Sequence, residues 1–258
     1  MKKYIKDLIV TENRQLNYQY FLLKLTSKEE LPEILPGQFA QIRIDNSPST
    51  FLRRPISISF VDKQKNELWL LVQVVGEGTK TMGKLTQGST LNLIFPLGST
   101  FTIPGNKNTN ILLVGGGVGV APLLMFGEKL YQSGYKCNFL LGARSKIDLL
   151  LLNEFVKYGN LYLTTEDGSY GEKGYVTQHS ILQRDDFDHI YTCGPTPMMK
   201  EVARYALRKN IFCEVSLENM MGCGIGSCLC CVTETTEGNL CVCTEGPVFN
   251  ITKLKWQI

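Results

Sequence analysis

Over about the first hundred positions the apolar residues come in short runs bounded by turn residues, without the three-and-four recurrence of an amphipathic helix. Residues 21–25, 39–44, 56–61, 67–75 and 90–95 read as strands, separated by Pro36-Gly37, Asn46-Ser47-Pro48-Ser49 and Gln87-Gly88. Strands and turns at this spacing predict a small barrel or sandwich. The character changes at residues 106–110. Ile111-Leu112-Leu113-Val114 is an unbroken apolar run, as expected of a strand covered on both faces, and it leads through Gly115-Gly116-Gly117-Val118-Gly119-Val120-Ala121-Pro122 into a helical stretch ending at Tyr131. Further strands are expected at 138–141, 161–164 and 189–192, with helices around 149–157, 177–183 and 197–209. Alternation of this kind builds a parallel sheet. After Phe212 the helix signals stop and a cysteine-rich segment follows. The pattern predicts an α+β multidomain chain: an antiparallel β-barrel over 1–104, an α/β parallel-sheet domain over 105–212 and a small cysteine-rich domain over 213–258.

Composition adds bounds. With 258 residues, 43% of them hydrophobic and 20% charged, the chain can bury a real core. The run Leu149-Leu150-Leu151-Leu152 is flanked by Asp148 and Asn153, far short of a membrane span, and is expected to pack in the core. Lys2, Lys3 and Lys6 read as a solvated end, and Asp7 and Glu12 interrupt any signal-peptide run, so a cytoplasmic location is expected. A net charge of +3 over 27 basic and 24 acidic residues leaves no basic stripe, which argues against nucleic acid as a partner.

Cysteine spacing carries the first chemistry. Cys223, Cys228, Cys231 and Cys243 stand as C-x4-C-x2-C-x11-C. C-x4-C-x2-C with a distant fourth cysteine is the plant-type spacing for a [2Fe–2S] cluster, which moves single electrons. Structural zinc, the alternative, usually takes two short knuckles; only Cys228 and Cys231 make one, because Cys241 and Cys243 are too close for a second. A disulfide framework belongs to short secreted chains. Gly224 and Gly226 allow a loop to turn through positive φ and aim backbone N–H groups at sulfur. Cys230 and Cys241 are near enough to compete as ligands, although spacing prefers Cys231 to Cys230. Cys137, Cys193 and Cys213 sit among apolar or small neighbours and are expected as free buried thiols. His179 and His189 are isolated and read as surface or helix-end residues.

The glycine run between a buried strand and a helix lets a pyrophosphate approach the backbone and the positive helix end, and Pro122 suits the first helical turn. A turn needed for packing alone is the competing reading, though four glycines in five residues exceed that need. Arg144 after the second strand could receive a 2′-phosphate, whereas Glu166 and Asp167 after the third could favour ribose hydroxyls. In the barrel half, Arg53-Arg54-Pro55-Ile56-Ser57 and Val75-Gly76-Glu77-Gly78-Thr79 could hold a phosphate and a ring-edge nitrogen, or serve as a surface ion-pair site.

Taken together these stretches resemble a known family over essentially the full length. Arg54-Pro55-Ile56-Ser57 is similar to the R-x-[YI]-[ST] flavin motif of the ferredoxin–NADP reductase superfamily. Gly115 to Pro122 and Cys193-Gly194-Pro195-Thr196-Pro197-Met198 resemble its GGGxGxAP and CGPxPM nicotinamide motifs. Glu218 to Cys228 and Cys243-Thr244-Glu245-Gly246-Pro247-Val248-Phe249 resemble one branch, the electron transfer subunits of dihydroorotate dehydrogenase B, and that ending also selects Cys243 over Cys241. The resemblance implies a path from NAD(H) to FAD to a [2Fe–2S] cluster to an FMN in a separate dihydroorotate dehydrogenase catalytic subunit, as a heterotetramer of two of each serving pyrimidine (UMP) synthesis. It further implies that Arg54, Pro55, Ile56, Ser57, Leu71, Val72, Gln73, Gly78 and Thr79 bind FAD, and that Gly115, Gly116, Gly117 and Gly119 receive the nicotinamide nucleotide. By the same resemblance Cys193 lies beside the nicotinamide and helps orient it, while Cys223, Cys228, Cys231 and Cys243 hold the cluster. Cys230 departs from the family, which more often has a small residue there. Two other readings stay open: the small subunit of an NADH-dependent ferredoxin–NADP reductase or sulfide dehydrogenase complex, and a zinc-stabilised flavin-binding redox sensor.

Overall fold

The computed structural model describes residues 2–184 and 186–256. The first half closes an antiparallel barrel from β1 (Tyr4–Gln15), β2 (Tyr20–Thr26), β3 (Phe39–Ile42), β4 (Arg54–Asp62), β5 (Glu67–Gln73) and, after the short helix α1 (Glu77–Gly83), β6 (Thr90–Leu97). The strand order is β1-β2-β5-β4-β3-β6. Strand β1 was not legible because only Leu8 and Val10 of it are buried, while charged residues interrupt its alternation. The expected solvated end is therefore corrected at Lys6, which lies within β1 and pairs with Glu29 at 2.6 Å; Lys2 and Lys3 are exposed.

The second half is an α/β layer. Its elements are β7 (Ile111–Gly116), α2 (Ala121–Gln132), β8 (Cys137–Ala143), α3 (Leu152–Phe155), β9 (Gly159–Thr165), β10 (Glu172–Lys173), α4 (Ile181–Arg184), β11 (His189–Cys193), α5 (Thr196–Lys209) and β12 (Phe212–Ser216). A hairpin of β13 (Val232–Thr235) and β14 (Gly238–Cys241) follows, then β15 (Val248–Asn250). The sheet runs β10-β9-β8-β7-β11-β12-β15, parallel except for β15, which lies antiparallel on β12. The apolar run of β7 follows from its two covered faces. Ile111 and Leu113 pack with Leu123, Leu124 and Phe126 of α2, whereas Leu112 and Val114 pack with Met199, Val202 and Ala203 of α5.

Two expected helices are shorter in the structure. Leu151 takes φ 55, a left-handed conformation that no helix interior accepts, so α3 begins only at Leu152. Of the four leucines only Leu150 is fully buried; Leu151 and Leu152 are half-buried at the rim of the same core. The stretch 177–183 is broken at His179, whose backbone turns extended and whose Nδ1 accepts the Ile181 N–H at 3.1 Å. His179 does end a short 3₁₀ turn, Val176–Gln178, but it is buried rather than on the surface. Burial lowers its pKa, opposed by Glu172.

The boundary expected at 212–213 falls inside β12, which pairs with β11 and carries the cysteine-rich segment on the edge of the parallel sheet. That segment is tied at both ends. The Leu217 N–H donates to the Pro247 carbonyl at 2.8 Å, and the Ser99 N–H donates to the Gly246 carbonyl at 2.5 Å, joining it to the chain leaving the barrel. Barrel and sheet are joined along the same connection. Phe101 stacks on Phe126 with centroids 4.8 Å apart, and the Thr102 carbonyl accepts from the Tyr191 hydroxyl at 2.6 Å.

Candidate functional site

At the carboxyl edge of the parallel strands two turns meet. From β7 the chain passes through a 3₁₀ turn, Gly117–Val120, into α2, whose first turn contains Pro122; from β11 it passes through Gly194-Pro195 into α5. Because β7 and β11 are neighbours with Cys193 opposite Gly115, these turns lie side by side. They approach so closely that a Cβ on Gly119 would stand 2.4 Å from the Gly194 Cα and 2.5 Å from its nitrogen. Backbone cannot yield as a flexible side chain does, so Gly119 is dictated by space, while Gly117 at φ +56 is dictated by conformation. Above them opens a cleft of about 630 Å³, lined by Gly116, Gly117, Gly119, Gly142, Arg144, Glu166, Gly194 and Glu218 of the sheet side and by Tyr20 and Gln73 of the barrel. A glycine-walled cleft at the head of α2 admits a pyrophosphate to backbone N–H groups. Gly115 is the exception among the four glycines: it lies beneath the cleft against Val120 and Leu123.

Of the acidic pair after β9, Glu166 faces the cleft. Asp167 instead accepts from the Ser169 N–H at 2.9 Å and from its hydroxyl at 2.6 Å, and these bonds lower its pKa. Cys193 does not line the cleft but lies fully buried under its floor. Burial pushes its thiol far above the ordinary range; the neighbouring Glu218 adds to this, while Ser216 and the Gly194 N–H oppose it. Cys193 is thus a neutral thiol, suited to packing beneath the cleft floor and not to nucleophilic attack. Glu218 had no role by sequence, yet it stands in the cleft wall. The residue is exposed in that wall, and desolvation by the surrounding protein raises its carboxyl's pKa. No spacing rule marks this residue; its nearness to Cys193 arises from the register of β11 on β12.

On the barrel, Arg54, Pro55, Ile56 and Ser57 form a half-exposed strip along β4. The arginine fork separates into two jobs. Arg53 turns inward, its Nη1 donating to the Gln41 and Asn92 carbonyls at 3.2 and 3.0 Å, and so fastens β3 to β6. Arg54 alone remains available to an anion. Its Nη1 donates to the Leu52 carbonyl at 2.9 Å, and its side chain lies where a Cβ on Gly78 would come within 3.2 Å of Nε. Leu71 and Val72 are only 1% exposed, so their backbones, not their side chains, are what an elongated ligand beside β5 can meet. The Thr79 hydroxyl is engaged in closing α1, accepting from the Val75 and Gly76 N–H groups at 2.9 and 3.2 Å. A half-exposed strip with one guanidinium held only by nearby backbone carbonyls, a glycine beside it and Gln73 in the cleft lining fits a flavin nucleotide lying from β4 towards the cleft.

Past Glu218 the chain reaches the four spaced cysteines, whose contacts fall into two pairs. In the outer pair, the Cys223 Sγ accepts from the Ile225 and Cys228 N–H groups, each at 3.4 Å, and the Cys228 Sγ accepts from the Cys223 N–H at 3.4 Å. These N–H groups, led by that of Ile225, push the Cys223 thiol down to about 6 despite some desolvation. In the inner pair, the Cys231 Sγ accepts from the Cys243 N–H at 3.4 Å; both residues are buried, and burial pushes Cys243 up to about 12. Among the described residues no three ligating side chains close on a single ion. Two thiol pairs with N–H groups aimed at sulfur suit a binuclear cluster, which takes two thiolates at each iron. Cys241 is half-exposed beside the inner pair, and Cys230 is exposed, its thiol 3.7 Å from the Met220 carbonyl. Cys137 and Cys213 are buried free thiols, as their neighbours suggested.

A closed antiparallel barrel followed by a parallel nucleotide-binding sheet makes this a ferredoxin-reductase-like oxidoreductase, with a cysteine centre added at its C-terminal side. Residues 113–204 match the oxidoreductase NAD-binding domain, and residues 218–255 match the iron-sulfur cluster binding domain of dihydroorotate dehydrogenase B. The electron transfer subunit of dihydroorotate dehydrogenase B (NAD(+)) from Shouchella clausii is 40% identical over 84% of this chain and 85% of its own. The same subunit from Fusobacterium nucleatum is 38% identical over 95% of this chain and 96% of its own. Among solved structures, a chain of the NADH-dependent reduced ferredoxin-NADP oxidoreductase superposes with a TM-score of 0.86 at 29% identity, covering 96% of this chain and 90% of that one. The chain belongs to the family of dihydroorotate dehydrogenase B electron transfer subunits.

Proposed function

We infer that this chain passes electrons between NAD(H) and the FMN of a dihydroorotate dehydrogenase catalytic subunit, through FAD and a [2Fe–2S] cluster, as part of pyrimidine synthesis. The observation that carries this reading is the meeting of three regions. Glu218 in the cleft wall precedes Cys223 by five residues, and Gln41, next to the β4 strip, lies against Gly224 of the cysteine loop. When bound, the flavin converts two-electron hydride chemistry into single electrons and the cluster relays them one at a time.

The chain's own residues bind and orient. Gly116, Gly117 and Gly119 offer backbone N–H groups to the nicotinamide nucleotide's pyrophosphate, over the buried packing glycine Gly115. Glu166 takes the ribose hydroxyls in this reading, with Arg144 also lining the cleft, and the neutral Cys193 packs the floor on which Gly194 sits rather than touching the ring itself. Arg54 meets the FAD phosphates and Pro55, Ile56 and Ser57 flank the flavin. The backbones of Leu71 and Val72, the Gln73 side chain and the Gly78–Thr79 turn complete that site. Cys223, Cys228, Cys231 and Cys243 ligate the cluster, and Cys230 and Cys241 stay outside it.

The partner is an FMN-containing catalytic subunit, in an assembly of two of each. Support for a docking face at the outer pair comes from Met220, Ile225 and Leu229, which are 86%, 45% and 65% exposed around it. Among the described residues no helix is long and apolar enough to cross a membrane. Nine unpaired cysteines fit a reducing compartment, and we place the chain in the cytoplasm.

The high structural similarity to the NADH-dependent reduced ferredoxin-NADP oxidoreductase chain favours one second reading, the small subunit of such a complex. Affinity purification from cells under anaerobic conditions separates the two. Recovery of an FMN protein that oxidises dihydroorotate supports the first reading, and recovery of a large multi-cluster flavoprotein supports the second. NADH bleaching of bound flavin, followed by a reduced-cluster paramagnetic signal, tests the internal path; a protein holding zinc without iron would refute it.

A further inference from the structure

One buried side chain has polar atoms left unused by the rest of the protein. Gln41 on β3 is 0% exposed, and neither its Nε2 nor its Oε1 has a hydrogen-bond partner among the described residues. A buried carboxamide with both ends unpaired is costly, and native structures rarely keep one without a use. Its surroundings say where it points. A Cβ built on Gly224 would meet the Gln41 Cγ at 2.5 Å, Nε2 at 2.8 Å and Cδ at 3.0 Å. The carboxamide therefore presses against the backbone of the residue that follows Cys223, inside the bend that wraps the outer thiol pair. Gly224 also holds φ +72, so the loop is shaped to let this side chain in.

The other face of Gln41 belongs to the flavin side. It pairs with Pro55 across β3 and β4, and its carbonyl accepts from Arg53. Pro55 has no N–H to give, and the Arg53 side chain, from the residue just before β4, donates to the Gln41 carbonyl instead. The backbone of Gln41 is thus locked to the strand carrying the flavin strip while its side chain reaches the cysteine loop.

We propose that Gln41 is a positioning residue for the cluster, whose Nε2–H donates to a sulfur of the outer half of the loaded centre and raises its reduction potential. Sulfur is the acceptor type that this loop concentrates, and the N–H groups already aimed at Cys223 and Cys228 show the loop to be built for donation to it. A donor stabilises the more negative, reduced state more than the oxidised one, so losing it shifts the midpoint downward. The proposal rests on the four-cysteine cluster site argued above.

The test is a paramagnetic-resonance redox titration of the full chain carrying FAD and cluster, comparing wild type with Gln41→Met, which keeps length and volume but donates nothing, and with Gln41→Glu, which replaces the donor by an acceptor. Both variants are expected to move the cluster midpoint to lower potential, Gln41→Glu further. A second measurement needs no variant: in reduced wild type labelled with 15N at glutamine side chains, pulsed resonance is expected to detect a nitrogen coupling to the cluster. An unmoved midpoint in Gln41→Met, or absence of that coupling in wild type, overturns the hydrogen bond while leaving the cluster site intact. A chain that shows no cluster signal at all overturns both. If Gln41→Met does not assemble, the wild-type coupling decides alone.

Discussion

Cys241 and Cys243 are two residues apart, and their surroundings divide them. Cys243 is 1% exposed and its N–H points at the Cys231 sulfur, whereas the Cys241 N–H is spent on the Glu245 carboxylate at 3.0 Å. Cys243→Ser is expected to lose the cluster's visible absorption and paramagnetic signal, while Cys241→Ser and Cys230→Ser keep both. Residue spacing made Cys223, Cys228 and Cys231 legible as a C-x4-C-x2-C set, and the family-like ending Cys243 to Phe249 singled out Cys243 as the fourth. Gly119 was legible as a glycine of a nucleotide loop but not for its reason, since its neighbour Gly194 is 75 residues away and the contact exists only after β7 and β11 pair. Gly119→Ala is expected to cost about 1–3 kcal/mol of stability and to slow NADH reduction of bound flavin, read by thermal melting and anaerobic stopped flow. Gly76→Ala, with open space at its Cβ, serves as the comparison.

At the level of elements, β12 does more than end the sheet. Glu214 on it is buried and accepts from the Thr102 N–H at 2.9 Å and hydroxyl at 2.6 Å, fastening the connection out of the barrel to the sheet edge. Burial raises the Glu214 pKa above its ordinary 4.5, and the two Thr102 bonds oppose that rise. A carboxyl raised in the folded state binds its proton more tightly there than in the unfolded chain. The stability it contributes is full below 4.5 and is lost as pH rises through the higher folded value. Glu214→Gln, whose carboxamide can still meet both Thr102 groups, is expected to flatten this part of the melting temperature's pH dependence. A variant with the wild-type slope would remove Glu214 from the account. Strand β12 itself escaped prediction because Phe212-Cys213-Glu214-Val215-Ser216 places a charged residue at its centre, and only the pairing with Thr102 makes that tolerable. Helices α3 and α4 were overextended for the opposite reason: their apolar spacing is helical, but Leu151 and His179 leave the helical region for local geometry that periodicity does not encode.

For the whole molecule, the path proposed here runs from an enclosed cleft to an exposed face. The inner cysteine pair is buried among Val242, Phe249 and Leu254, and the outer pair opens towards Met220, Ile225 and Leu229. Ile225→Lys combined with Leu229→Glu is expected to weaken capture of the catalytic subunit at least tenfold by surface plasmon resonance, while NADH reduction of the bound flavin stays unchanged; undiminished capture would place the partner elsewhere. From residue types and their intervals followed the barrel-then-sheet order, the glycine turn and the C-x4-C-x2-C spacing, because each rests on local chemistry: strand and turn punctuation, the φ freedom of glycine, and the reach of neighbouring thiolates; the flavin strip and the choice of Cys243 over Cys241 drew on the family resemblance. Three things waited for the fold. Arg53 and Arg54 took separate jobs, Glu218 entered the cleft wall, and Gln41 came to rest against Gly224. Each depends on partners far away in sequence that strand pairing and segment packing bring together, and side-chain spacing carries no record of such contacts.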